Sequence, residues 1–194
     1  MNRGRPRIFD PELVLENAME LFWSRGYDAT SLQDLLEATG LSKSSLYESF
    51  GNKQSLFETA FTRYFEGRAR FMRERLDESE YALEFIRECL MSVLEDASRD
   101  SPRGCMLVNV ANEFSSSDPA IHRLVILASK RFRRVFELAF ERAQESGEIS
   151  ADKTPAELAL LMHCIMNGLR TQTKSGLSHQ ELLMVIDLVM ARWA

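Results

Sequence analysis

The sequence predicts an all-α fold, and three observations carry that expectation. Hydrophobic residues recur at helical spacing along the whole chain. The five prolines and nine glycines fall nearly all between those periodic segments. No run alternates apolar and polar residues between turn signals, as a half-buried strand would.

About nine helices are expected. The first, about 10–26, places Val14, Ala18, Leu21 and Phe22 on one face, with Asp10 as N-cap, Pro11 in the first turn and Gly26 at the end. The second opens with Ser31-Leu32-Gln33-Asp34, a capping-box-like start, buries Leu32, Leu35 and Leu36, and stops at Thr39-Gly40. The third starts at Ser42 and carries Leu46, Tyr47 and Phe50 before Gly51. The fourth begins at Asn52, shows Phe57, Ala60, Phe61, Tyr64 and Phe65 on one face, and runs to about Leu76. Longer helices follow: about 80–97, a short one at 103–115, one capped by Asp118-Pro119 and ending at Gly147, one opened by Thr154-Pro155-Ala156-Glu157, and a last one opened by Ser178-His179-Gln180-Glu181.

The composition excludes several classes. At 45% hydrophobic and 27% charged, the chain is neither disordered nor low-complexity. No apolar run approaches the roughly 18 residues of a membrane span, so no membrane partner is expected. No secretory signal core follows the basic start, which points to the cytoplasm. Three scattered cysteines and three histidines form neither a disulfide framework nor a zinc-site spacing, so no metal is expected. No G-x-S-x-G, phosphate-binding glycine loop or H-E-x-x-H occurs, so the reading is of a non-enzyme without a cofactor or catalytic residues. The net charge of −5 argues against wholesale attraction to nucleic acid but leaves room for a local basic patch.

Function is carried by the second and third helices. Two short helices joined by Ala38-Thr39-Gly40-Leu41 match the helix-turn-helix pattern, in which a left-handed glycine ends one helix and redirects the next. With Leu35, Leu36, Leu41 and Leu46 turned inward, Lys43, Ser44, Ser45, Glu48 and Ser49 remain outward. Those short polar side chains suit a major groove. An ordinary helical hairpin has the same pattern. Thr30 and Ser31 at one helix start, and Asn52-Lys53 at another, add N–H groups that favour phosphates. Arg3, Arg5 and Arg7 form either an arm for a narrow minor groove or a free tail. Residues 1–55 nonetheless hold six Lys/Arg against eight Asp/Glu, so binding requires the positive groups on one face.

Residues 9–64 resemble the DNA-binding headpiece of the TetR family of bacterial repressors. The resemblance rests on Leu21-Phe22-Trp23-Ser24-Arg25-Gly26-Tyr27-Asp28-Ala29-Thr30-Ser31, Ala38-Thr39-Gly40-Leu41-Ser42, Ser45-Leu46-Tyr47 and Phe50-Gly51-Asn52-Lys53-Gln54-Ser55-Leu56-Phe57. It implies a homodimeric repressor on a palindromic double-stranded DNA operator. A small-molecule or electrophile/oxidant inducer in the second domain would release it. It places Lys43, Ser44, Ser45 and Tyr47 in the groove, and Thr30, Ser31 and Lys53 on phosphates. Glu48 and Ser49 stand where many members have an aromatic and a histidine; Glu48 either accepts from a cytosine amine or faces solvent. The implied domains are 1–52, the arm and helix-turn-helix, and 53–194, for ligand binding and dimerisation. A helical adaptor that does not bind DNA is the competing reading.

Arg103-Gly104-Cys105-Met106-Leu107-Val108-Asn109 resembles a motif of one branch of the family, some of whose members respond to electrophiles through the cysteine. A helix start and Arg103 would lower the Cys105 pKa; the bland alternative is a small buried hydrophobe. Cys89 and Cys164 lie on apolar stripes and are expected in the core. Candidate pocket residues are Phe71, Met72, Phe85, Cys105, Asn109, Met162, His163 and Met166. Candidate dimer contacts are Leu158, Leu161, Ile165, Leu169, Leu182, Ile186, Val189 and Met190, four helices from two chains forming a bundle. Lys130-Arg131-Phe132-Arg133-Arg134 reads as a solvated face, with an anionic inducer site as the minor alternative.

Overall fold

The structure is a computed structural model that describes residues 9–99, 102–114 and 118–193. Among them nine helices occur: α1 Pro11–Arg25, α2 Leu32–Thr39, α3 Lys43–Phe50, α4 Lys53–Glu78, α5 Ala82–Ala97, α6 Met106–Phe114, α7 Pro119–Glu145, α8 Pro155–Lys174 and α9 His179–Trp193. No strand occurs among the described residues.

The caps set these boundaries. Asp10 accepts the Glu12 N–H at 2.9 Å, ahead of Pro11. Ser31 and Asp34 form a reciprocal capping box, as do Thr154 and Glu157. Ser178 and Glu181 exchange the same pair of bonds at the start of α9. Each box satisfies two backbone N–H groups that would otherwise lack partners. Gly40 ends α2 at φ 68°, ψ 12°, the left-handed conformation a β-carbon disfavours, and its N–H returns to the Leu36 carbonyl.

The chain divides after Phe65 into two compact units, Met1–Phe65 and Glu66–Ala194. The division falls inside α4 and not at 52/53, where the sequence suggested it. The reason is aromatic packing. Leu56, Phe57, Ala60 and Phe61 are all buried, and Phe57 meets Phe22 and Tyr27 edge-on at 5.1 and 5.2 Å. Those rings tie the start of α4 into the core of the first unit.

The second unit has its own core, built from α5, α7, α8 and α9 with Met72 and Leu76 of α4. Phe85, Ile86, Leu90, Phe140, Met162, Leu182 and Ile186 are fully enclosed there. Asp96 of α5 is a buried carboxylate with three donors: the N–H groups of Arg103 and Gly104, and the Thr173 hydroxyl of α8. It anchors residues 103–104 before α6. A β-carbon on Gly104 would stand 2.7 Å from the Lys174 side chain and 3.0 Å from the Arg170 carbonyl, so the backbone passes α8 closer than any other residue allows.

Candidate nucleic-acid interface

In the first unit, α2 and α3 are both short and amphipathic. Leu35 and Leu46 are fully buried, Leu41 in the turn nearly so. The Asn17 side chain of α1 donates to the Ala38 carbonyl at 3.1 Å, pinning the C-terminal end of α2 to α1. Burial of Leu46 fixes the rotation of α3, and the opposite side turns outward. There Lys43, Ser44, Tyr47 and Glu48 are exposed and Ser45 is half-buried. Tyr47 exposes 45% of its surface. The Lys43 ammonium lies 6.0 Å from its ring centroid. Ser42 caps α3 by accepting the Ser45 N–H, and its hydroxyl contacts those of Ser44 and Ser45 at 3.0 and 2.9 Å. Sequence reading missed Ser42 as the centre of that cluster, although its place before the helix was visible.

Two expected phosphate contacts need correction. Thr30 is wholly buried and its hydroxyl donates to the Gly26 carbonyl at 2.6 Å, so it faces inward. Ser31 is exposed, but its N–H and hydroxyl both donate to Asp34 at 2.8 and 2.6 Å, which leaves its side chain no donor hydrogen for a phosphate. Those bonds and the Arg25 guanidinium, 2.6 Å from the carboxylate, hold the Asp34 pKa down at about 2. Lys53 is half-buried at the first position of α4, with its ammonium 4.2 Å from the Tyr27 ring centroid. Asn52 caps the same helix by accepting the Ser55 N–H. Part of the acidic surplus is neutralised, since Glu12 pairs with Arg63 and Asp34 with Arg25. Arg3, Arg5 and Arg7 lie outside the described residues.

Comparison with known proteins agrees with this arrangement. The profile of bacterial regulatory proteins, tetR family, matches residues 14–60, and that of the tetracyclin repressor-like C-terminal domain matches residues 72–182. The chain is 32% identical to the HTH-type transcriptional repressor ComR of Escherichia coli (strain K12), over 99% of this chain and 92% of that one. The chain belongs to the TetR family. It is also 37% identical to the HTH-type transcriptional regulator YezE of Bacillus subtilis (strain 168), over 78% of each chain. Among solved structures, a cysteine mutant of the TetR family transcriptional regulator CifR, complexed with 26bp double-strand operator DNA, superposes with a TM-score of 0.84. That likeness has 32% identity and covers 98% of this chain and 100% of that one.

In the second unit of this TetR-family chain the expected pocket residues divide. Met72, Phe85, Met162 and Met166 are buried. Phe71 is not an interior residue: it is half exposed, with the Arg68 guanidinium 5.4 Å from its ring centroid. Asn109 donates to the Arg103 carbonyl at 3.0 Å and so closes the turn before α6. Cys105 and His163 are brought together through Asn167, which sequence reading missed. The Cys105 thiol donates to Asn167 Oδ1 at 3.2 Å, and Asn167 Nδ2 lies 3.4 Å from His163 Nε2. The spacing of His163, Asn167 and Arg170 at i, i+4 and i+7 was the available signal.

The expected activation of Cys105 is also corrected. Burial pushes its thiol up, outweighing the backbone N–H groups of Val108 and Leu107 and the Arg170 charge. Burial likewise raises Cys89 to about 12, against the opposing charges of Arg68 and Arg170. Cys164 is exposed and does not belong to the core. Burial and the Arg133 charge lower the His163 pKa, which keeps the imidazole neutral at pH 7. Two of the four cations in the basic run of α7 are paired: Arg131 with Glu66, and Arg134 with Glu137 and Glu141.

Of the expected dimer contacts, Leu158, Leu169, Leu182 and Ile186 are buried in the core of their own chain. Each helix has two apolar sides, and the expected set draws on both. Ile165, Val189 and Met190 are half-buried, and Leu161 is exposed. The outward apolar residues of α8 and α9 are Leu160, Leu161, Met184 and Leu188, the last two 57% and 67% exposed. A shallow depression on α9 is lined by Gln180, Leu183, Met184, Asp187 and Leu188.

Proposed function

We propose that this TetR-family repressor binds a palindromic double-stranded operator as a homodimer and releases it when a small molecule occupies the Glu66–Ala194 unit. One observation carries the reading: α3 is locked by Leu46 from within while Lys43, Ser44, Ser45 and Tyr47 stand together on its outer side. These residues read base edges in the major groove, with Lys53 on a phosphate. Arg3, Arg5 and Arg7 add contacts from the N-terminal arm. Ser31 serves as the cap that fixes the start of α2 and not as a phosphate donor.

The dimer forms through the outward sides of α8 and α9. Leu160, Leu161, Met184 and Leu188 give each chain an apolar patch that a symmetric partner covers, with Ile165, Val189 and Met190 at its margin. Gly168 has nothing within 4 Å of where its β-carbon would stand, so α8 presents an open step on that unit for a close helix approach. Two recognition helices then sit about 34–36 Å apart, one turn of DNA. Burial raises the Cys105 pKa, which disfavours the thiolate that a covalent effector would need at that residue. The chain acts on DNA in the cytoplasm as a regulator and not as a catalyst.

The test is a gel-shift series with fragments selected from a random DNA pool, run at rising salt. Retention of particular sequences, falling steeply as salt increases, supports the repressor reading. Absence of retention even at low salt would favour a helical adaptor that does not bind DNA.

A further inference from the structure

We infer that Glu48 sets a base preference of α3: its carboxylate accepts a hydrogen bond from the N4 amine of a cytosine in the major groove of the operator. This rests on the operator reading proposed above and deepens it by one base. An α-helix turns about 100° per residue, so the residues of α3 nearest the point opposite Leu46 are Ser44 and Glu48, two positions before it and two after. Lys43, Ser45 and Tyr47 lie further round, toward the sides. Leu46 is fully buried, and Ser44 and Glu48 are exposed, as that geometry requires. The centre of the outward face is thus a short hydroxyl with a carboxylate one turn on.

Most carboxylates of the headpiece are engaged within the chain. Glu12 pairs with Arg63 and Asp34 with Arg25, while Glu37 and Glu58 accept from Gln33 and Gln54. Glu16 of α1 and Glu48 are exposed and have neither a hydrogen bond nor an ion pair among the described residues, and of the two only Glu48 stands on α3. The Ser44 and Ser45 hydroxyls, one turn back, meet that of Ser42 at 3.0 and 2.9 Å. Lys43 and Lys53 lie over the rings of Tyr47 and Tyr27. A carboxylate brought against DNA is repelled by the phosphates and gives up its water, which is costly unless a donor replaces that water. The major-groove edge offers two such donors, the amines of cytosine and adenine. Adenine sets its N7 lone pair beside the amine, against the carboxylate, whereas cytosine carries no acceptor on that edge. Guanine and thymine offer acceptors and no donor. Glu48 therefore admits cytosine and repels the alternatives, which builds specificity by exclusion.

The experiment is selection of sites from random double-stranded DNA by the full-length protein and by its Glu48→Ala and Glu48→Gln variants, followed by affinity measurement on the enriched sequences. The wild type is expected to enrich one cytosine in each half-site that Glu48→Ala no longer selects, with the other positions kept. Glu48→Gln should move that position toward adenine, because a glutamine amide bonds both N6 and N7. On the wild-type site, Glu48→Ala and a cytosine-to-thymine change should each weaken binding about tenfold, and the two together no more than either alone. On unselected DNA, Glu48→Ala should bind at least as tightly as wild type, since a carboxylate facing the phosphates has gone. Enrichment of the same cytosine at full strength by both variants overturns the proposal and leaves the operator reading intact. An equal loss of affinity for every sequence in Glu48→Ala also overturns it, since that is the mark of a structural role. Absence of any enriched sequence with the wild type removes the operator reading, and the proposal with it.

Discussion

The headpiece and the Glu66–Ala194 unit use the same parts, capped amphipathic helices around a leucine- and phenylalanine-rich core, but they dispose of their polar groups in opposite ways. In the headpiece, serines and one lysine on an eight-residue helix are pushed outward because Leu46 is held within. In the second unit, Cys105, Asn167, His163 and Arg170 are drawn inward, linked to one another or to Ser92 across helices distant in sequence. The first arrangement suits recognition of a large, wet, charged surface; the second suits a small molecule that must be desolvated. Outward function is therefore local and readable from a short motif, while inward function depends on which helices meet.

The largest effect should come from the residue that holds the outward face in place. Leu46→Ala is expected to cost about 2–5 kcal/mol, since a fully buried leucine leaves a cavity, and to abolish operator binding along with headpiece stability. Urea denaturation followed by circular dichroism measures the loss; an unchanged midpoint would mean that α3 is not anchored through this side chain. In the second unit the matching experiment is Leu188→Asp. That residue is exposed in the single chain, so its substitution should leave helicity intact yet convert dimer to monomer in analytical ultracentrifugation. A dimer that persists would move the interface away from α9.

Smaller effects sharpen the contrast within the headpiece. Tyr47→Ala or Lys53→Ala should weaken operator binding by about 1–3 kcal/mol without altering the fold. The Tyr47 change should relax sequence preference, and the Lys53 change should lower the salt slope, both read by gel shift. Thr30→Val, which removes the hydroxyl, should by contrast leave the DNA affinity of the folded protein unchanged, because that hydroxyl is spent on Gly26 inside the unit.

How much of this was legible follows the same division. Asp10, Ser31, Thr154 and Ser178 announced their helices because a cap is a contact within three residues. The outward position of Lys43, Ser44 and Tyr47 followed from the period of Leu46 within one short helix. The inward direction of Thr30 did not, because it depends on a carbonyl freed at Gly26. The boundary inside α4 was hidden because Phe57 and Phe61 continue one helical stripe without a break. On α8 and α9 the stripe was legible but its inner and outer members were not separable, since leucines occupy both faces. The Cys105–Asn167–His163 chain was half legible: the i, i+4 spacing of His163 and Asn167 marks one face of α8, but no local pattern tells that the segment before α6 brings Cys105 to it.

The two smallest expected effects concern titration. Asp34 has a folded pKa near 2, below its ordinary 3.8, so its contribution is present above about 3.8 and is lost as pH falls through about 2. Asp34→Asn should therefore destabilise the headpiece at pH 7, with the difference from wild type vanishing at the acid end; thermal melts across pH check this. Among the thiols, Cys164 should react first with a disulfide reagent at pH 7, and Cys89 and Cys105 slowly, since burial raises both. Rapid labelling of Cys105 in the native protein would restore the covalent alternative for the effector.

The most direct test of the outward reading face is selection of binding sites from random DNA by the purified protein, followed by sequencing. The account predicts a palindrome whose half-sites lie about one helical turn, or a multiple of it, apart, and loss of that enrichment when Lys43, Ser44, Ser45 and Tyr47 are all replaced by alanine. The same palindrome recovered with undiminished affinity by the alanine variant would contradict it.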